Sequence, residues 1–377
     1  MARTGNPARI LTSYYRPKPG GLCKRLFRAI EGLLAEGHEV HYLSVVPFPI
    51  DHANCHWHRF PWPPDHTEGL LFWLAFHLLA PVALLHLALR HRVTHTFAFA
   101  TTYALCLQPA RVVARIPLAI FLRADALENH RLLGRPGWLI GLERWLEGLA
   151  LRGAHLYGVS DALTRTVLAR HRNTSPARSG VLRNDIPRTT DTGPRPPARN
   201  PLRIASVGVL EPRKRGDLLI QCVARLPAHA AHLFLYGAGP GEAMLRALVA
   251  ELYLEDRISF MGWTKSSRIW FDIDLLLMPS HHEGAPNAAL EAIANGVPFL
   301  ASRIPEHAEI FPTDCLVQGD SPQAWVNRIE DLLREPDVSL TRLREQIAAH
   351  TASLHFDWDA AVCQAILAGA EPTAPPP

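Results

Sequence analysis

Short apolar runs alternate with stretches of helical period along this chain, the order that builds parallel sheets with crossover helices. Residues 9–15 (RILTSYY) read as a first strand. Residues 22–36 carry apolar side chains at Leu22, Leu26, Ile30, Leu33 and Leu34 and read as a helix that Gly37 ends; residues 40–46 read as a second strand. Further strands are expected at 97–106, 119–122 and 156–160. Amphipathic helices are expected over 138–152 and 161–170, the latter capped by Ser160 or Asp161. A polar, proline-rich stretch at 188–201 (RTTDTGPRPPARNP) then interrupts the pattern and reads as a linker. Beyond it the alternation resumes, with strands at 202–210, 232–236, 258–263, 275–278 and 297–301, a helix opening at Pro286, and helices at 340–350 and through 355–367.

One stretch breaks the pattern. Residues 70–89 (LLFWLAFHLLAPVALLHLAL) run for twenty positions without a formal charge, about the length that spans a bilayer. Pro81 in its middle, and His77 and His86 within it, favour instead a helix pair broken at the proline, either buried or lying against a membrane surface.

The 377 residues are enough for two domains. The six cysteines (23, 55, 106, 222, 315 and 363) are scattered without a Cys-x-x-Cys pair, which argues against a disulfide framework and suits a reducing cytoplasm. The N-terminus is polar and Arg-bearing, unlike a secretory signal. The net charge of +4 hides an asymmetry. Up to residue 198 there are 24 Lys+Arg against 13 Asp+Glu, a net +11; the remainder carries a net −7. A basic first half points to an anionic partner such as a phosphate-bearing acceptor or a membrane surface; no nucleic-acid-binding signature accompanies it. His52, Cys55, His56 and His58 crowd together in DHANCHWHRF, but their spacing matches no zinc-finger pattern, so no metal is expected.

The chemistry concentrates at 278–310, MPSHHEGAPNAALEAIANGVPFLASRIPEHAEI. It starts at the end of the 275–278 strand, passes a polar loop, and enters a helix with Pro286 in its first turn, Gly296 at its end and Pro298 beyond. A helix that follows a parallel strand directs its free N–H groups, near Asn287 and Ala288, outward from the carboxyl edge of the sheet, where a phosphate can bind. Glu283 in the loop and Glu291 eight residues on flank that position, and carboxylates accept hydrogen bonds from sugar hydroxyls. Phosphate between two hydroxyl-binding groups describes a nucleotide-sugar.

EGAPNAALEAIANGVPFLAS resembles the Glu-x7-Glu motif of retaining glycosyltransferases of family 4, and the resemblance covers nearly the whole chain, highly specific from 202 to 311 and diffuse before about 155. It implies the GT-B fold: two Rossmann-like α/β domains facing across a cleft, at 1–187 and 202–345, with the 188–201 linker, a C-terminal helix (346–370) packing back on the first domain, and a disordered tail (371–377). The function implied is transfer of a hexose, with retention and without a metal, from a nucleotide-diphosphate sugar to a glycan or lipid-linked acceptor in envelope polysaccharide, lipopolysaccharide or glycolipid synthesis. The nucleotide-sugar is then a substrate, and no cofactor is implied. The protein is expected in the cytoplasm, with peripheral contact at the inner face of the plasma membrane. Alternatives are a GT-B nucleotide-sugar epimerase or a non-catalytic sugar-nucleotide-binding protein.

Residue by residue, the resemblance assigns Glu283 to the hexose and Glu291 to the ribose, with Gly284, Ala285, Pro286, Asn287 and Ala288 around them. GVLEPRKRGDLLI is similar to the family's phosphate clamp, so Lys214 meets the diphosphate beside Gly208. Where the family has Arg after that glycine this chain has Val209, leaving Arg213 or Arg215 to substitute. Backbone near Met261 meets the base. Gly20 and Gly21 resemble a donor–acceptor loop. Arg123 and Asp125, at a strand's carboxyl edge, are candidates for orienting the reacting groups, Asp125 as a catalytic side chain. Asn184, in VLRNDIP, is placed on the acceptor side.

Overall fold

The computed structural model describes residues 7–18, 20–132, 134–172, 176–188 and 195–368. The chain divides into two compact units, one built from residues up to Arg183 together with those from Asp357 onward, the other from Asn184–Phe356.

The sheet of the first unit has seven parallel strands: β1 (Arg9–Ser13), β2 (Glu39–Ser44), β3 (Cys55–Arg59), β4 (His95–Phe99), β5 (Leu118–Leu122), β6 (His155–Gly158) and β7 (Arg178–Val181), in the order β3-β2-β1-β4-β5-β6-β7. The second unit has six, all parallel: β8 (Leu202–Val207), β9 (Ala231–Tyr236), β10 (Ile258–Gly262), β11 (Leu275–Met278), β12 (Phe299–Ser302) and β13 (Leu316–Val317), in the order β10-β9-β8-β11-β12-β13. Both are Rossmann-like, and the fold is GT-B. Central strands such as β5 and β11 are buried at every position, as a sheet covered on both faces requires. In each sheet the strand order reverses beside the first strand, between β1 and β4 and between β8 and β11, and ligands of such sheets bind at the carboxyl ends flanking the reversal.

Three expectations need correcting. The stretch 97–106 is not one strand: β4 ends at Phe99, and Thr101–Ala114 is a helix, turned by Ala100 at φ +112°. The run 70–89 is not a broken pair but one helix, Leu70–Arg90, with Pro81 inside it. Phe72, Phe76, Ala80, Leu84 and Leu87 form one buried stripe that passes through the proline and packs on helix Thr101–Ala114, so burial on both sides of Pro81 outweighs the lost hydrogen bond. The unit boundaries also differ. They fall after Arg183 rather than 187, because Ile186 packs on Leu290 and Leu354 and donates its N–H to Leu354 O at 3.0 Å. They fall before Asp357 rather than 346, because helix Pro336–His350 buries Leu340, Leu343 and Ile347 in the core of the second unit.

The final helix, Trp358–Leu367, packs on helix Gly21–Ala35 of the first unit. Trp358 is fully buried under the guanidinium groups of Arg25 and Arg28, 4.8 and 5.1 Å from its ring, and Arg28 grips Asp359 through two 2.9 Å bonds. Parts of the 188–201 linker and all of the 371–377 tail lie outside the described residues.

Candidate functional site

Within the second unit, the carboxyl ends of β8 and β11 bring two loops together. After β8, Gly208 takes φ +152°, and Gly237 of the neighbouring strand end approaches so closely that a Cβ there would sit 1.9 Å from the Gly208 carbonyl oxygen. That crossing needs glycine. The chain then makes a short 3₁₀ turn, Pro212–Lys214, and Arg215 enters helix Gly216–Arg225 in the left-handed region at φ +53°. The change of hand separates two cations adjacent to Lys214. Arg213 turns toward Glu283, with Nη1 3.2 Å from Oε2, while Arg215 turns away toward Asp217 and Asp320. Of the two candidates to replace the cation missing at Val209, the fold brings only Arg213 to the cluster.

After β11, the loop carries Glu283 inward until it is only 5% exposed. Its Oε1 accepts from Lys214 Nζ at 2.5 Å and from Ser280 Oγ at 2.7 Å, and Oε2 faces Arg213. Burial by itself would raise the Glu283 carboxyl; Lys214 and Arg213 more than reverse this and hold it down to about 2. Glu283 is therefore a buried, fully ionised acceptor set between two cations.

Helix Asn287–Ala294 begins directly after Pro286, with no side chain capping its first amides, and ends at Gly296 with φ +65°. The Asn287 N–H donates back to Ala285 O at 2.8 Å, so it is not among the amides open to a phosphate, contrary to the expectation. The Asn287 side chain accepts from Asn184 Nδ2 at 2.6 Å. Asn184, expected on the acceptor side, thus belongs to the second unit and braces the start of this helix. Glu291 stands half-buried one turn further on, and Met261 lies half-exposed near the end of β10.

His307 was not foreseen. It is fully buried in the short helix after β12, and its Nδ1 lies 2.8 Å from Ser302 O. A carbonyl can only accept, so Nδ1 carries the proton and Nε2 is left as an acceptor, buried without a hydrogen-bond partner among the described residues. Burial keeps the imidazole neutral, and its charge interactions are with Glu283 and Lys214. Nothing in the sequence around His307 distinguishes it; its role depends on where β12 ends.

The first-unit candidates have local tasks. Asp125 Oδ1 caps helix Ala126–Leu132 by accepting from the amides of Leu127 and Glu128, and Oδ2 pairs with Arg170, which also binds Glu147 at 3.0 Å. These contacts anchor Asp125, the expected catalytic side chain, at the start of that helix. Arg123 lies over the Phe99 ring at 6.0 Å. Gly20, at φ +139°, precedes the helix that Gly21 begins. In the second unit, Asp274 binds Arg199 and the Arg203 amide, each at 2.9 Å, and serves to hold the chain where it enters β8.

Comparison with known proteins bears on the family and the fold. Residues 188–351 match the family described as Glycosyl transferases group 1, so the second unit carries that family's pattern. The D-inositol 3-phosphate glycosyltransferase of Corynebacterium glutamicum is 31% identical over 175 residues, which cover 43% of this chain and 41% of that protein. The counterpart in Mycobacterium marinum is 28% identical over 167 residues, covering 41% of this chain and 35% of that protein. The chain thus spans less than half the length of these curated relatives. In fold the likeness is nearly complete. Sucrose-phosphate synthase from Thermosynechococcus elongatus superposes with a TM-score of 0.78 at 18% identity, covering 95% of this chain and 97% of that one. Anabaena HepE in complex with UDP-glucose gives 0.72 at 18% identity, covering 95% and 98%.

Proposed function

We propose that the protein is a retaining, metal-independent glycosyltransferase that moves a hexose from a nucleotide-diphosphate sugar to a glycan or lipid-linked acceptor of the cell envelope. The observation that carries this reading is the Glu283–Lys214–Arg213 cluster at the sheet's carboxyl edge. A diphosphate leaving group develops negative charge as the glycosidic bond breaks, and preorganised cations stabilise that charge without reorganising. Lys214 is the side chain to meet it. Glu283, kept ionised, accepts from sugar hydroxyls and fixes the hexose; Glu291 does the same for the ribose. The uncapped start of helix Asn287–Ala294 adds its dipole to the phosphate side. In this reading positioning and charge perform the chemistry, and the departing diphosphate takes the acceptor's proton on the face it leaves. The test is to supply UDP-, GDP- and ADP-hexoses with lipid-phosphate and glycan acceptors. Product with the donor's anomeric configuration is expected; an inverted product, or epimerised donor without transfer, rejects the reading.

The acceptor side of this proposal includes an anionic lipid surface. The 21-residue helix Leu70–Arg90 is long and apolar enough to cross a membrane, by length and composition. Opposite its buried stripe it exposes Leu71 (72%) and Leu78 (71%) among others, and it ends in Arg90, with Arg92 just beyond, in the strongly basic half of the chain. Apolar side chains beside arginines suit anionic headgroups over acyl chains. Vesicles containing anionic lipid are expected to pellet the protein, and Leu71→Asp with Leu78→Asp to reduce that at least tenfold. Equal binding by that double variant would reject membrane contact through this helix.

A further inference from the structure

The edge of the first sheet gathers four imidazoles that its sequence leaves far apart. Strands β2 and β3 pair in parallel with His41 opposite His56 and Leu43 opposite His58. Side chains alternate across a strand, so Glu39, His41, His56 and His58 all fall on one face. The helix Leu70–Arg90 ends over that face and contributes His91, whose own amide closes the last helical turn on Leu87 O at 3.0 Å. His41 is the hub: its ring centre lies 4.3 Å from that of His91, 4.8 Å from His56 and 5.2 Å from His58. Cys55 belongs to the opposite face of β3, and burial pushes its thiol up to about 11, so it is no part of the group.

We propose that His41, His58 and His91 bind one divalent transition-metal ion of the zinc class, with Glu39 orienting His41 from behind. Each imidazole offers a nitrogen within 4.8 Å of the other two. His41 Nδ1 and His58 Nε2 are 3.0 Å apart, close to the separation of about 3.3 Å between two nitrogens on a tetrahedral ion with bonds near 2.0–2.1 Å. Three imidazoles form a donor set that suits zinc, nickel and copper and leaves a fourth position for water. The second nitrogen of His41 has a fitting neighbour. Nε2 is buried, has no aligned hydrogen bond, and sits 3.1 Å from Glu39 Oε1. A carboxylate behind a ligating histidine fixes which nitrogen faces the metal. Arg9 in turn holds Glu39, with Nε 3.5 Å from Oε2. Such an ion would tie edge strand β3 to the end of the apolar helix. Its role is to brace the fold, and it lies outside the donor-binding cluster.

The proposal is tested on the untagged full-length protein stripped with chelator and titrated with Zn²⁺ alone, then with Co²⁺ for its visible absorption. One equivalent is expected to bind saturably, to raise Tm with metal concentration, and to give the cobalt spectrum of a tetrahedral site. His58→Ala and His91→Ala, at positions more exposed than His41, are expected to keep the metal-free Tm and lose the metal-dependent rise. Glu39→Gln is expected to weaken binding by about 10- to 100-fold. His229→Ala, on an exposed loop of the second unit, should change nothing. Absence of saturable one-to-one binding, or binding unaltered in both His58→Ala and His91→Ala, overturns it.

Discussion

Lys214→Ala is expected to lower turnover of the nucleotide-sugar donor by about 100- to 1,000-fold, the loss typical of removing one preorganised group that stabilises transition-state charge. The effect should appear in kcat as well as kcat/KM, because the interaction strengthens as the diphosphate departs. The same change has a second, independent readout. Glu283 is 5% exposed and its Oε1 relies on Lys214. Breaking a buried pair by removing one partner leaves charge uncompensated, and with Arg213 and Ser280 still in place the cost is about 3 kcal/mol, visible as a lower denaturation midpoint. Lys214→Arg should recover much of the stability and less of the activity, since a planar guanidinium cannot occupy the place of a point charge beside Gly208. If Lys214→Ala leaves turnover within threefold of the wild type, the phosphate assignment is wrong.

The second large effect is acid sensitivity traceable to one carboxylate. In the folded protein Glu283 is held at about 2, against an ordinary glutamate value near 4.5. The folded state therefore binds fewer protons than the unfolded chain between those values. The stabilisation is complete above about pH 4.5 and is lost as pH falls toward 2, in total about 3 kcal/mol. Glu283→Gln cannot titrate, so it is expected to be less stable than the wild type near neutrality and to approach it as the solution is acidified. Urea midpoints of both proteins at pH 7, 5 and 3 check this: the gap should narrow by about 2 kcal/mol between pH 5 and 3. A gap that stays constant with pH would show that Glu283 is not held ionised by its two cations.

Much of the second unit was legible because its signals are local. Four consecutive buried residues at 275–278, a proline before a helix and glycine with proline after it specify strand, loop and helix within twenty-five positions. The resemblance assigned Lys214 to the diphosphate and Glu283 to the hexose, but their direct pairing was not legible, because it requires two loops 69 residues apart to meet at one sheet edge. What stayed hidden depends on geometry that a one-dimensional pattern does not carry. Arg213 and Arg215 are equivalent in sequence, and only the left-handed turn at Arg215 sends them to opposite sides. The strand at 55–59 reads CHWHR, too polar to announce itself, since an edge strand need not bury both faces. The run at 97–106 is apolar except for Thr101 and Thr102, and that pair, directly after Ala100, is the one local mark of the corner where strand gives way to helix. The imidazole cluster depends on parallel register plus a returning helix, neither of which is local.

The central claim is that the cluster of Glu283, Lys214 and Arg213 holds a nucleotide-diphosphate sugar. Isothermal titration of the wild type, Lys214→Ala and Arg213→Ala with UDP-, GDP- and ADP-glucose addresses it without requiring any acceptor. At least one donor should bind the wild type saturably, with affinity at least tenfold weaker in each variant. Failure of every donor to bind, or affinities that both substitutions leave unchanged, would contradict it.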